Sequence, residues 1–285
     1  MHSPRDTLFT GALADIPQLD LPVRPAARQS CGLDLPVVVI NLLHRTDRWE
    51  AISTRMAAAG LDALTRAPAV NGHALPAAAM SRLLDPRQSL PLGPPECHLS
   101  LTPPAVGCFL SHLGIWRWMI DTGIPRVLIL EDDACPVDDY DAGDFRSLVA
   151  SLTPQHQLVF PGCLIMDGLA EAAIRPQRLA RLFYFNGTFA YLITQQACRF
   201  LLDHILPLRA HIDHQLSSLF LAYRQDFEVY YAHPAFFAPD WSLRSDCYVP
   251  LDDAASADQR LGDLLGGARR TLLGEGHRLL PPAGD

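Results

Sequence analysis

Three carboxylates in a row, Glu131-Asp132-Asp133, follow directly on the apolar run Arg126 to Leu130 (RVLIL). That run reads as a buried strand, so it delivers the acids to a sheet edge. Strand side chains alternate, so Glu131 and Asp133 are expected on one face and Asp132 on the other. Two hard oxygen ligands on one face suit Mg²⁺ or Mn²⁺, and a divalent cation relieves the repulsion among three adjacent acids. A solvated loop or a helix cap is the competing reading of the same triplet.

Other polar groups stand at the ends of elements. Arg45 and Arg48 come just after VVVINL (37–42), where guanidinium forks can grip a diphosphate. A salt bridge from Arg48 to Asp47, or a solvated Arg, fits the same residues. Asn71-Gly72 reads as a turn after a second strand. Ser111-His112 lies on the strongest helix, where a His more often packs than catalyses. No GxSxG surrounds Ser111, so a hydrolase triad is excluded. In Asn186-Gly187-Thr188, Gly187 allows close backbone approach to a ligand, and an ordinary turn is the alternative. Arg175, Arg178 and Arg181 recur every third residue, which suits a solvated helix face or an anionic acceptor.

The elements that must position these groups alternate between strand and helix. VVVINL is a β-branched run typical of a buried parallel strand. A helix follows, capped by Thr46 or Asp47, with Trp49, Ile52, Met56 and Ala59 inward and Gly60 ending it. A strand is predicted at 66–70 and a short helix at 76–84. Residues 85–104 are a Pro-rich loop. The helix at 105–122 repeats Val106, Phe109, Leu110, Leu113, Trp116 and Ile120 at helical spacing, and Gly123 and Pro125 stop it. Short strands are expected at 158–160, 182–185, 189–193 and 227–231. Helices are expected after Thr194 and from about Asp213. This pattern is an α/β fold with helices flanking a mostly parallel sheet. It has no GxGxxG dinucleotide fingerprint. Residues 1–35 read as a loose arm, 36–250 as the domain, and 251–285 as a polar tail.

The chain has 285 residues, of which 49% are hydrophobic and 19% charged, enough for one large α/β domain. A net charge of −8 argues against nonspecific nucleic-acid binding. Every cationic side chain other than His is Arg, which excludes a Schiff-base lysine and a phosphate-loop lysine. The seven Cys are scattered with no CxxC pair, which points to a reducing, cytoplasmic setting. No apolar run approaches the roughly 20 residues of a membrane span, and no signal peptide is apparent. The Asn186 sequon is therefore read as chance.

The segments VVVINLLHRTDRW, APAVNG, GCFLSHLGIWRWMI, VLILEDDA, FNGTFAYLIT and HIDHQL, in that order, resemble glycosyltransferase family 25 across about residues 36–250. This family includes lipooligosaccharide glycosyltransferases and collagen galactosyltransferase domains. The resemblance implies a GT-A-like fold, a UDP-sugar donor (galactose or glucose) and an inverting transfer helped by Mn²⁺ or Mg²⁺. Its implied metal ligands are Asp133 and Glu131, with a late His at His233. It places Asn41, Arg45, Arg48, Asn71, Gly72, Ser111, His112, Glu131, Asp132, Asn186 and Gly187 around the donor, with Asn71 where relatives often carry Asp. Asp213 is the implied general base, a plain helix cap being the alternative. Ser245-Asp246 resembles a late pair that closes over the substrates. The implied acceptor is a saccharide, free or lipid-linked, with peripheral membrane contact compatible. A nucleotide-sugar-forming nucleotidyltransferase would want a Gly-rich basic loop near the first strand, which is absent. A degenerate binding module would not need the intact acids.

Overall fold

The protein, seen in a computed structural model, is described over residues 33–85, 101–165, 179–225 and 227–243. Its strands are β1 (Val37–Asn41), β2 (Leu64–Pro68), β3 (Arg126–Glu131), β4 (Ala134–Pro136), β5 (Leu158–Ile165), β6 (Leu179–Arg181), β7 (Phe185–Thr194), β8 (Val229–Ala232) and β9 (Phe237–Pro239). Its helices are α1 (Thr46–Ala58), α2 (Ala77–Leu83), α3 (Pro103–Thr122), α4 (Ala142–Ser151), α5 (Gln195–His204) and α6 (Ile212–Ala222). Seven strands form one sheet in the order β2-β1-β3-β7-β5-β8-β6, and β4 pairs with β9 in a separate ribbon.

The α/β class is as expected, and the sheet is mixed. β2, β1 and β3 run parallel, as do β5 and β8, while β7 is antiparallel to both β3 and β5. Alternation along the strands builds two cores. Val38, Ile40, Val127 and Ile129 join the layer of α2, α3, α5 and α6. Val37, Val39, Leu128 and Leu130 join the layer of α1, α4 and β9. Both faces are covered, which is why β1 reads as a continuous apolar run and is buried throughout.

α3 is the most buried helix, with thirteen of its twenty residues inside, including Ser111 and His112. Thr102 caps it by accepting from the Ala105 amide, and Gly123 ends it in the left-handed region at φ 73°. No helix among the described residues is long and apolar enough to cross a membrane.

Several local expectations shift. The α1 cap position falls on Arg45, and no side chain caps it. The separate strands expected at 182–185 and 189–193 are replaced by one strand, β7, which passes through Gly187 at φ 80°. The last strand of the sheet begins at Val229 rather than Phe227. α4 and the β4–β9 ribbon were not anticipated. α4 carries its own signal, an Asp141 cap accepting from the Asp144 amide, with Phe145 and Leu148 buried one turn apart. The ribbon strands are three residues each, too short to show periodicity. Residues 1–32 of the arm, residues 86–100 of the Pro-rich loop, Arg175, Arg178, Ser245, Asp246 and the tail lie outside the described residues, while Leu33 and Leu35 at the end of the arm are buried against the sheet. Arg181 sits on β6, beside Glu228 at 3.5 Å, rather than on a helix.

Candidate active site

β1 connects through α1 to β2 on one side of it and lies beside β3 on the other. α1 packs in one layer and α3, which leads into β3, in the opposite layer. The chain therefore leaves β1 and enters β3 over opposite faces, which opens a crevice at their carboxyl ends. A cleft of about 290 Å³ lies there. Eight of the residues expected around the donor line it, Asn41, Arg45, Arg48, Asn71, Gly72, Ser111, Glu131 and Asp132, together with the expected metal ligand Asp133.

Asp132 is the structural centre of the acidic edge. It lies, with Asp133, in the turn beyond the end of β3 at Glu131, so strand alternation does not set its facing. Its Oδ1 accepts from Arg48 Nη1 at 2.6 Å, and its Oδ2 accepts from Asn41 Nδ2 at 2.6 Å. Asn41 Oδ1 in turn accepts from Arg66 Nε at 2.9 Å. The Asp132 carbonyl accepts from Arg55, whose guanidinium also pairs with Asp240. Asn41 is 1% exposed and Arg48 5%. These groups tie α1, β1, β2 and β3 together, and the Arg48–Asp47 bridge considered from sequence is not what forms. Asp47 pairs with Arg45 through two bonds, Nε–Oδ1 at 3.0 Å and Nη2–Oδ2 at 2.9 Å. The Arg45 guanidinium holds the Asp47 carboxyl down at about 2. This pair is on the surface, so the Arg45 fork can be exchanged to a ligand in the cleft at little cost.

The opposite wall rests on α3. The Ser111 hydroxyl donates to the Gly107 carbonyl at 2.7 Å and accepts from the Val70 amide at 2.8 Å. Asn71 Oδ1 accepts from the His73 amide at 3.1 Å and caps a single 3-10 turn. A Cβ on Gly72 would stand 1.7 Å from the Pro103 carbonyl oxygen, and one on Gly107 would stand 2.4 Å from the Val70 oxygen. Both clashes are with backbone, which cannot swing aside. Gly72→Ala is expected to lose about 1–3 kcal/mol of stability as an overpacking change. Urea unfolding reads this directly, and a midpoint equal to wild type would show that the wall is not held at Gly72.

Glu131 faces the α3 side. Thr188 donates a short hydrogen bond to its Oε1, and His112 Nε2 stands 3.3 Å from the same oxygen. His112 is fully buried beneath the cleft. Its Nδ1 is 2.7 Å from the Tyr191 hydroxyl, which also accepts from Trp116 Nε1 at 3.0 Å. Burial pushes the Tyr191 phenol well above its ordinary range, so it stays neutral. Thr188 and Tyr191 were not singled out from sequence. Three residues apart on β7, they do not share a face by simple alternation, and the register of β7 against β3 was not legible.

Asp133 has a different environment from Asp132. Its Oδ1 is buried without a hydrogen-bond partner. Burial, then the charges of Glu131 and Asp132, push its carboxyl up to about 7. The folded group thus binds a proton more tightly than the unfolded one, whose ordinary value is 3.8. Stability from this group is complete below about 4 and is lost as pH rises through about 7. In metal-free protein the thermal midpoint should fall between pH 5 and 8 in wild type and change less in Asp133→Asn. Parallel profiles for the two proteins would refute this assignment.

The remaining expected residues lie away from the cleft lining. Gly187 donates its amide to Asp213 Oδ2 at 2.8 Å, and Asp213 Oδ1 accepts from the His214 amide at 2.8 Å. Asp213 is not the cap of α6, which is His211. Asn186 Oδ1 is buried with no partner. His233 is exposed just beyond β8, three strands from β3 in the sheet order.

Residues 34–143 match the model of glycosyltransferase family 25 (LPS biosynthesis protein). A glycosyltransferase 25 family member of Drosophila melanogaster is 30% identical over 60% of this chain and 29% of its own length. Procollagen galactosyltransferase 1 of Danio rerio is 36% identical over 41% of this chain and 19% of its own. A probable inactive glycosyltransferase 25 family member 3 of Bos taurus is 27% identical over 81% of this chain and 42% of its own. The chain thus spans less than half the length of these relatives. The matched region contains β1, the α3 wall and the whole acidic edge, and over it the chain is similar to glycosyltransferase family 25.

Proposed function

We propose that this protein transfers a hexose, galactose or glucose, from a UDP-sugar to a saccharide hydroxyl, with the donor in the cleft between β1 and β3. The observation that carries the reading is Asp133: a half-buried carboxylate with one buried, unpartnered oxygen, crowded by two other acids, at the edge of the cleft. Such a group is satisfied by a divalent cation, and the all-oxygen character of the edge fits Mn²⁺ or Mg²⁺. When bound, the ion would supply Lewis-acid stabilisation of the departing diphosphate. Glu131 borders that position on the same wall, and His233 lies outside the cleft lining.

The chain's own groups divide the remaining work. Arg45, released from Asp47, holds the diphosphate with its guanidinium fork. Asn71 and Gly72, clamped on α3 by Ser111, form the wall against which the uridine rests. Arg48 and Asp132 neutralise each other and keep β1, β3 and α1 at a fixed separation. Both oxygens of Asp213 are engaged, accepting the amide hydrogens of Gly187 and His214. We therefore assign it to holding the Gly187 turn beside Thr188, a positioning role rather than that of the base. The acceptor class, a free or lipid-linked saccharide, is proposed from the resemblance to that family.

A second reading, donor binding without turnover, is favoured by relatives named inactive, the cattle protein among them. Calorimetric titration of nucleotide sugars with Mn²⁺ and then with EDTA, followed by donor-turnover assays, separates the two. Metal-dependent binding with release of UDP supports transfer. Binding without release supports the second reading, and no binding of any nucleotide sugar refutes both.

A further inference from the structure

Cys108 and His112 stand four residues apart on α3, so their side chains share one face a turn apart. Glu131 meets that face from the end of β3. One donor atom from each of the three lies within 4.8 Å of the other two. His112 Nε2 and Glu131 Oε1 are 3.3 Å apart. Two ligands each about 2.0–2.1 Å from one tetrahedral ion stand about 3.3–3.4 Å from each other, so this spacing already suits a shared Zn²⁺.

A second observation points to the same place. His112 is fully buried, yet its Nε2 has no hydrogen-bond partner. An imidazole nitrogen left so is costly unless something occupies its lone pair. The groups behind the ligands are those a metal site uses. The Tyr191 hydroxyl sits on His112 Nδ1 at 2.7 Å, and the Thr188 hydroxyl holds Glu131. With an ion on Nε2, the bond to Tyr191 runs from Nδ1–H to the phenol oxygen. Cys108 and Glu131 also line the cleft, so a fourth coordination position would open into it.

We propose that Cys108, His112 and Glu131 bind one Zn²⁺ ion, at a site distinct from the all-oxygen position at Asp133. The sulfur, nitrogen and oxygen donor set selects Zn²⁺ over Mn²⁺ or Mg²⁺. Binding takes the Cys108 thiol to the thiolate, and its proton goes to the buffer. The inference does not depend on glycosyl transfer, because it is read by metal binding alone.

The test uses the full chain after EDTA treatment and desalting. Titration with ZnCl₂ is expected to saturate at one ion per chain, and Asp133→Asn should leave that titration unchanged. Co²⁺ in place of Zn²⁺ should give a thiolate-to-cobalt charge-transfer band that Cys108→Ser removes and Cys135→Ser retains. Tyr191→Phe, which removes the acceptor for Nδ1–H, should weaken binding about 10–100-fold. In wild type, Zn²⁺ should protect Cys108 from alkylation by iodoacetamide, read by peptide mapping, so the result does not depend on a variant folding. Alkylation of Cys108 at the same rate with and without Zn²⁺ would overturn the proposal. So would Zn²⁺ binding that survives in folded Cys108→Ser or disappears in Asp133→Asn.

Discussion

Asp133→Asn is expected to reduce metal-dependent transfer about a thousandfold or more while leaving the fold intact. An ion at the departing diphosphate is worth several kcal/mol, and each ~1.4 kcal/mol is a factor of ten in rate. The amide keeps the volume of the carboxylate and removes the charge that would hold the ion. It also removes a charge that the folded chain tolerates poorly, since burial and two neighbouring acids oppose its ionisation. The variant should therefore be at least as stable as wild type at pH 8 without metal. Loss of activity with unchanged or raised stability is the signature of a binding group rather than a structural one. Full metal-dependent activity in Asp133→Asn would remove the basis for placing the donor at this edge.

Asp132→Ala, one residue away, is expected to do the opposite. It removes the carboxylate that holds the buried Arg48 guanidinium and one of the two acceptors of Asn41 Nδ2. The Arg48 and Asp132 side chains are only 6% and 12% exposed, so surface screening is slight. Breaking a buried pair from one side costs about 3–5 kcal/mol. That is a large part of the roughly 5–15 kcal/mol that stabilises a typical domain. Chemical denaturation should show the loss. The double variant Arg48→Met/Asp132→Leu should recover much of it, because no uncompensated charge remains. A loss under about 1 kcal/mol in Asp132→Ala would mean that Arg48 reaches water or another acid, and the structural role of Asp132 would fall.

Those adjacent acids mark the boundary between what could be read early and what could not. The amino-acid sequence determined that an apolar strand ends in three carboxylates and that strands and helices alternate from β1 to β3. These are consequences of local periodicity, which each residue shares with neighbours two to four positions away. It also placed the Asn71-Gly72 turn and the buried face of α3. Only the tertiary structure decided the partners. Arg48 and Asp132 are 84 residues apart in the chain, and His112 and Tyr191 are 79 apart. Ser111 turns out to hold the cleft wall, and Asp213 to hold Gly187, because the register of β7 and the seating of residues 70–72 on α3 bring them there. Those distances are set by how the layers close over the sheet, and no local pattern of residues encodes which distant polar group will complete a buried one.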